Sequence, residues 1–263
     1  DEVTQVVDEL YDELSVSAFR PKFCELEFSA RGALPGVAFS GKRCRGVVEG
    51  FVDRVDVWQS GGRPYVRVVD YKTGKKSFDY TYVLHGRGLQ MLLYLFALVR
   101  QGGHLLHGEP LPAGVLYFPA RIERVSVRDR LAQAEIEKER RKQLRRSGVL
   151  LNSDPVLEAM EPCGGSPRFL PYTLDKEGRK TGDLASFVQL AQLERFVFRT
   201  VAALGDELAD GRIDPDPCIR DAKDSACAFC PYSEVCAGHE QPRWLKKITA
   251  EEFWQTLERR EHG

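Results

Sequence analysis

No stretch of this 263-residue chain approaches the roughly 18 consecutive apolar residues that a membrane-spanning helix needs. The opening residues Asp1-Glu2-Val3-Thr4 lack both the basic stretch and the apolar run of a secretory leader, so the expected compartment is cytoplasmic. A helical pattern is already under way at Val6-Val7-Asp8-Glu9-Leu10-Tyr11, and the chain reads as a piece of a longer polypeptide. An excess of charge of one sign is also missing, since 38 lysines and arginines face 39 aspartates and glutamates. Bulk charge therefore neither demands nor excludes a nucleic-acid partner, and a DNA-binding surface has to be a local patch. There is no internal repeat and no low-complexity tract. The cysteines lack the even distribution of a disulfide framework: of seven, Cys24, Cys44 and Cys163 are scattered while Cys218, Cys227, Cys230 and Cys236 crowd towards the end.

What is present is enough apolar material, 43% of the residues, for one large core, alone or with an appendage. Residues 3–15 read as helix, and Cys24–Ala30 alternates like a strand with one buried face. Gly46–Trp58 and Tyr65–Lys72 read as two strands joined across the turn signal Ser60-Gly61-Gly62-Arg63-Pro64, which makes a hairpin. Leu89–Val99 is apolar all round and reads as a buried helix, with Gly114–Phe118 returning as a strand. Strand, strand, strand, helix, strand is an α/β core. Beyond it, the pattern predicts a charged helix over 129–146, a short capped one at Asp154–Met160, a long amphipathic one over 183–209 and a last one from Ala250 to about Arg260.

The informative constellation is Gly50-Phe51-Val52-Asp53, followed seventeen residues later by Asp70-Tyr71-Lys72. Hairpin pairing brings Asp53 and Asp70 to one end of the sheet, and strand alternation sends Asp70 and Lys72 to one face and Tyr71 to the other. Two carboxylates with a backbone carbonyl, here that of Tyr71, suit Mg2+ or Mn2+, which lowers the pKa of a bound water. A lysine beside that ion stabilises charge on a phosphorus centre under attack. Taken alone, the Asp-Tyr-Lys tripeptide is more often a strand end running into a polar turn. The preceding Gly-Phe-Val-Asp strand changes that balance, and so do Gln90 and Tyr94, one turn apart on an otherwise apolar helix where a buried amide needs partners.

These three motifs, in this order, resemble the RecB-like PD-(D/E)xK nucleases, and more narrowly the nuclease domain of AddAB-type helicase-nuclease subunits. Ser147–Leu151, Asp154–Met160 and the cysteine-bearing end extend the resemblance over nearly the whole chain. It implies a restriction-endonuclease-like core, a mixed central sheet flanked by helices, with a helical, cysteine-bearing C-terminal part. The expected divisions are a nuclease core over 1–125, a helical continuation over 126–215, and a cysteine-rich loop with a C-terminal helix over 216–263. It further implies metal-dependent exonuclease action on single-stranded DNA in double-strand break repair, beside an AddA-type partner subunit. By the same resemblance Asp53 and Asp70 bind metal, Lys72 is catalytic, and Gln90 and Tyr94 support the site and the DNA. The family's further His or Glu on a helix before the first strand has no assigned counterpart between Asp1 and Phe28. A catalytically incomplete DNA-binding or subunit scaffold module is the alternative reading.

Cys227-Ala228-Phe229-Cys230, with Cys236 six residues on, is a compact thiolate set able to grip one metal centre. Spacing alone does not separate zinc from iron–sulfur; the resemblance implies a [4Fe–4S] cluster, its fourth ligand missing from this sequence or replaced by Cys218 or His239. Lys75 and Lys76, just past Lys72, are the better placed phosphate contacts. The run Lys138–Arg146 reads equally well as a phosphate-binding surface and as a solvated helix face with Glu135, Glu137 and Glu139 as partners. His85, His104 and His107 read as surface histidines.

Overall fold

The computed structural model of the chain describes residues 2–74, 77–121, 133–220, 225–236 and 242–262. Lys75, Lys76 and His239 lie outside them. Helix α1 (Glu2–Val16) leads into strand β1 (Arg20–Phe28), a short pair β2 (Val37–Ser40) and β3 (Arg45–Val48), and the long hairpin β4 (Gly50–Ser60) and β5 (Arg63–Lys72). Then come α2 (Tyr80–Leu84), α3 (Gln90–Gln101), α4 (Gly103–Leu106), β6 (Leu111–Pro119), α5 (Gln133–Leu144), β7 (Ser147–Leu151) and α6 (Asp154–Met160). The remainder is β8 (Tyr172–Leu174), β9 (Lys180–Gly182), β10 (Leu184–Ala185), α7 (Phe187–Ala209), β11 (Cys218–Ile219), a single 3₁₀ turn (Ala226–Phe229), β12 (Arg243–Trp244) and α8 (Ala250–His262). No described helix is long and apolar enough to cross a membrane.

Six strands form one mixed sheet in the order β1-β4-β5-β6-β7-β10. The β4–β5 connection is a two-residue turn closed by Ser60↔Arg63, and its central residues Gly61 and Gly62 have φ of 57° and 76°. Both positions need the left-handed backbone that glycine adopts without a Cβ penalty, so this turn fixes the hairpin register. β5 and β6 run parallel, joined through α3, which packs against both with Leu92, Leu95 and Leu98 fully buried. The expected α/β core is thus present. β7 and β10 were not anticipated from sequence: β7 pairs antiparallel with β6, and β10 parallel with β7. Runs as short as Val149-Leu150-Leu151 have no period that separates strand from helix, and only an available sheet edge decides. Likewise the helix expected from residue 183 starts at Phe187, after β10.

The chain divides into two compact units, residues 1–38, 47–78 and 89–195, and residues 39–46, 79–88 and 196–263. In the second, Asp79 caps α2 by accepting from the Thr81 amide (2.8 Å), and Tyr80 packs against Phe253 and Trp254 of α8, with centroids 5.0 and 5.9 Å apart.

In the first unit one face of the hairpin carries charge where burial predicts only hydrocarbon. Asp56 and Arg67 are directly opposed in register, neither exposing any surface, and Arg67 Nε donates to Asp56 Oδ2 at 2.9 Å. Arg54 donates to the same carboxylate (2.8 Å) and to the Tyr71 hydroxyl. From α1, on this same face, Glu13 accepts from Arg67 Nη2 (2.9 Å) and from Arg146 Nη2 (2.6 Å), and Glu9 stands 3.5 Å from Arg146 Nη1. Charges so deep are tolerated because each is paired; removing one partner leaves an uncompensated charge at a cost of about 3–5 kcal/mol. Burial pushes the Glu13 carboxyl up, but Arg67, Arg146 and Arg54 together outweigh it and hold the group below its ordinary 4.5. A depressed folded-state value contributes stability above the ordinary value and loses it as pH falls through the folded one. We expect Glu13→Gln to lower the urea-unfolding free energy by about 3–5 kcal/mol at neutral pH. The variant should also lose part of the wild-type decline in stability below pH 4.5.

Candidate active site

The last ladder pair between β4 and β5 at the open end of the hairpin is Arg54↔Val69, so the register sets Asp53 across from Asp70. One step on, the Tyr71 amide donates to Asp53 Oδ2 at 2.8 Å, and the two strand ends are tied by a side chain. On its other side β1 pairs Cys24↔Arg54 and Leu26↔Val52 but skips Asp53; Glu25, between them, has φ of 50°. A left-handed non-glycine residue is uncommon, and here it coincides with the gap in the β1–β4 pairing opposite Asp53.

Strand alternation behaves as expected beyond this point. Lys72 Nζ stands 2.5 Å from Asp70 Oδ2 on one side, while the Tyr71 hydroxyl turns to Arg54 on the other. Asp70 is buried, and its Oδ2 has no hydrogen-bond partner among the described residues, because the nearby ammonium lies off the direction a hydrogen bond requires. A buried carboxylate oxygen left in this state fits a cation ligand. Tyr117 of β6, in register with Asp70, has its phenol pushed up to about 12 by burial and by the Asp70 charge, and stays protonated at neutral pH. Burial likewise raises Tyr71, against the pull of the Arg54 guanidinium.

Tyr94 is buried on α3 and stacks on Phe28 of β1, ring centroids 5.0 Å apart. Its hydroxyl approaches Gly50 so closely that a Cβ there would sit 1.9 Å from it. The glycine of the first motif and the tyrosine of the third thus fit each other: only a residue without a side chain leaves room for the phenol. Gln90 departs from expectation. It is exposed rather than buried, because α3 begins there, and its Nε2 lies at the 3.5 Å limit of contact with the Tyr94 hydroxyl.

The charged face beneath Tyr71 went unread in the sequence, although Arg54, Asp56 and Arg67 recur with period two in otherwise apolar strands. Cys227, Cys230 and Cys236 are half-buried in and after the 3₁₀ turn, where the Cys230 amide donates to the Cys227 carbonyl at 3.2 Å. Among the described residues no three His, Cys, Asp or Glu side chains gather into a metal-holding group, so these thiols do not form a cage of their own. Cys218 accepts from Arg243 at 2.8 Å.

A mixed sheet flanked by helices, with paired aspartates and a lysine at the hairpin's open end, is the arrangement of one nuclease class. The chain belongs to the PD-(D/E)XK nuclease superfamily, whose family model matches residues 2–237. It is similar to the B-type subunit of the ATP-dependent helicase/deoxyribonuclease of Moorella thermoacetica, 35% identical over 237 residues, covering 89% of this chain and 20% of that protein. The corresponding protein of Clostridium perfringens is 30% identical over 226 residues, covering 82% and 19%. That of Oceanobacillus iheyensis is 31% identical over 197 residues, covering 72% and 17%. The chain spans about a fifth of the length of these curated relatives.

Gly50→Ala should force the Tyr94 phenol off its place. The expected loss is about 1–3 kcal/mol in thermal or urea unfolding; an unchanged stability would mean that the contact is not tight.

Proposed function

We propose that this chain hydrolyses DNA phosphodiester bonds with a divalent metal ion, Mg2+ or Mn2+, held by Asp53 and Asp70 with the Tyr71 carbonyl. The reading is carried by Asp70, whose Oδ2 is buried without a hydrogen-bond partner beside a lysine that is itself one-third exposed. When bound, the ion supplies a Lewis acid for a phosphoryl oxygen and an acidified water. Asp53, fixed by the Tyr71 amide, holds its carboxylate at the strand end. Lys72 presents an ammonium to the phosphate and offsets charge that develops on it. Gln90, exposed at the start of α3, meets the substrate, and the buried Tyr94 behind it steadies the strand. Lys75 and Lys76 follow in sequence as phosphate contacts.

The relatives are by name subunits of an ATP-dependent helicase/deoxyribonuclease, which favours a place beside a helicase. We assign the chain to exonucleolytic trimming of single-stranded DNA in break repair, with an AddA-type subunit as partner. The experiment is degradation of end-labelled single-stranded DNA with and without Mg2+. Lys72→Ala and Asp70→Ala should each lower the rate by roughly a hundredfold or more, with folding near wild type because neither opens a core cavity. Retained cleavage by Asp70→Ala sinks the assignment.

The [4Fe–4S] cluster rests on the spacing of Cys227, Cys230 and Cys236 together with the family resemblance, and no step of the chemistry passes through it. Iron and sulfide should co-purify with the wild-type chain and be lost from Cys230→Ser. A wild-type protein prepared without oxygen that carries neither would remove the cluster from the proposal.

A further inference from the structure

The parallel strands β5 and β6 end side by side, and beyond their C-terminal ends lies a half-open cavity of about 380 Å³. Ligands of α/β proteins gather at such strand ends. Its walls include Lys72 and Tyr117, Pro119 at the end of β6 and Arg121 just after it, and Arg145 and Ser147 at the entry to β7. Three lining groups are cationic, and among the described residues no lining group is a carboxylate.

Arg145 is the unusual member. The buried arginines of this unit, Arg54, Arg67 and Arg146, are all neutralised by aspartate or glutamate, whereas Arg145 is half-buried. Arg145 instead donates from Nε to the Leu170 carbonyl at 2.9 Å and from Nη2 to the Tyr172 carbonyl. Neutral carbonyls fix its direction without cancelling its charge. It has no carboxylate partner among the described residues, and neither has Arg121. Adjacent residues of one basic run therefore do opposite things: Arg146 pairs with Glu13 in the interior, and Arg145 lines a cavity as an oriented cation that no carboxylate among the described residues neutralises.

We infer that this cavity takes one unpaired nucleotide of the substrate, its phosphate held between Arg121 and Arg145 and its base against Pro119 and the Tyr117 ring; the inference rests on the nuclease reading above. Size and lining together carry the choice of ligand. Pockets for small organic ligands span roughly 300–1,000 Å³; this one, at the low end, has room for a single nucleotide and far more than an inorganic anion needs. A base inside a duplex cannot enter such a cavity without leaving its stack. The cavity thereby accounts for a single-stranded or frayed end as substrate, beside Lys72.

The test is calorimetric titration of the metal-free protein, in chelator, with thymidine monophosphate. Saturable binding is expected, with thymidine itself and the Arg121→Glu variant each weaker by about tenfold or more, the scale of one charged contact. Arg121 is exposed, so its replacement should leave the fold intact, whereas Arg145→Ala also frees two backbone carbonyls. No binding by the wild type, equal binding by Arg121→Glu, or inorganic phosphate binding as tightly as the nucleotide would each overturn the inference. Because no cleavage is measured, failure of the nuclease reading and failure of this one register in different experiments.

Discussion

A guanidinium with no exposed surface cannot be left without a counter-charge, and Arg67 in the middle of the sheet imposes that condition on everything around it. Asp56 answers it from the neighbouring strand, at the register the two-residue turn sets, and Glu13 answers it from α1. Arg54 shares the aspartate and reaches the Tyr71 hydroxyl, while Arg146 shares the glutamate. A hairpin slipped by one residue would send Asp56 and Arg67 to opposite faces, so the ionic pairing selects one register as firmly as the hydrophobic alternation does.

That register matters because Asp53 and Asp70 each lie a few positions along their strands from the Asp56–Arg67 pair, towards the open end of the hairpin. Tyr71 joins the two regions directly. Its hydroxyl is held by Arg54 and its amide holds Asp53, so one residue connects the buried charges below the sheet to the carboxylates at its end. Above, Tyr94 closes on Gly50, and its own place is set by stacking on Phe28. The candidate site is thus built from strand ends supported on rigid elements, while Gln90 and Lys72 remain in reach of solvent.

Part of this was legible. The order strand, strand, strand, helix, strand, the glycine turn, and the pairing of Asp53 with Asp70-Tyr71-Lys72 all follow from local alternation and turn chemistry, and the structure keeps them. The basic run ending at Arg146 was ambiguous for a sound reason: sequence gives the spacing of charges but not which ones will find carboxylates from residues far along the chain. Lys142 pairs with Glu139 three residues away, as local spacing suggests, but Arg146 pairs with Glu13, from the opposite end of the first unit's sequence.

The sequence by itself determined the hairpin, its register and the chemical types gathered at its end, because turn geometry and period-two alternation act over a few residues. Tertiary structure alone decided the rest. It made β7 and β10 strands by offering them a sheet edge, exposed Gln90 by starting α3 there, and placed Glu13 over Arg67. Each of these depends on contacts between segments remote in sequence, where burial and charge pairing outweigh local preference.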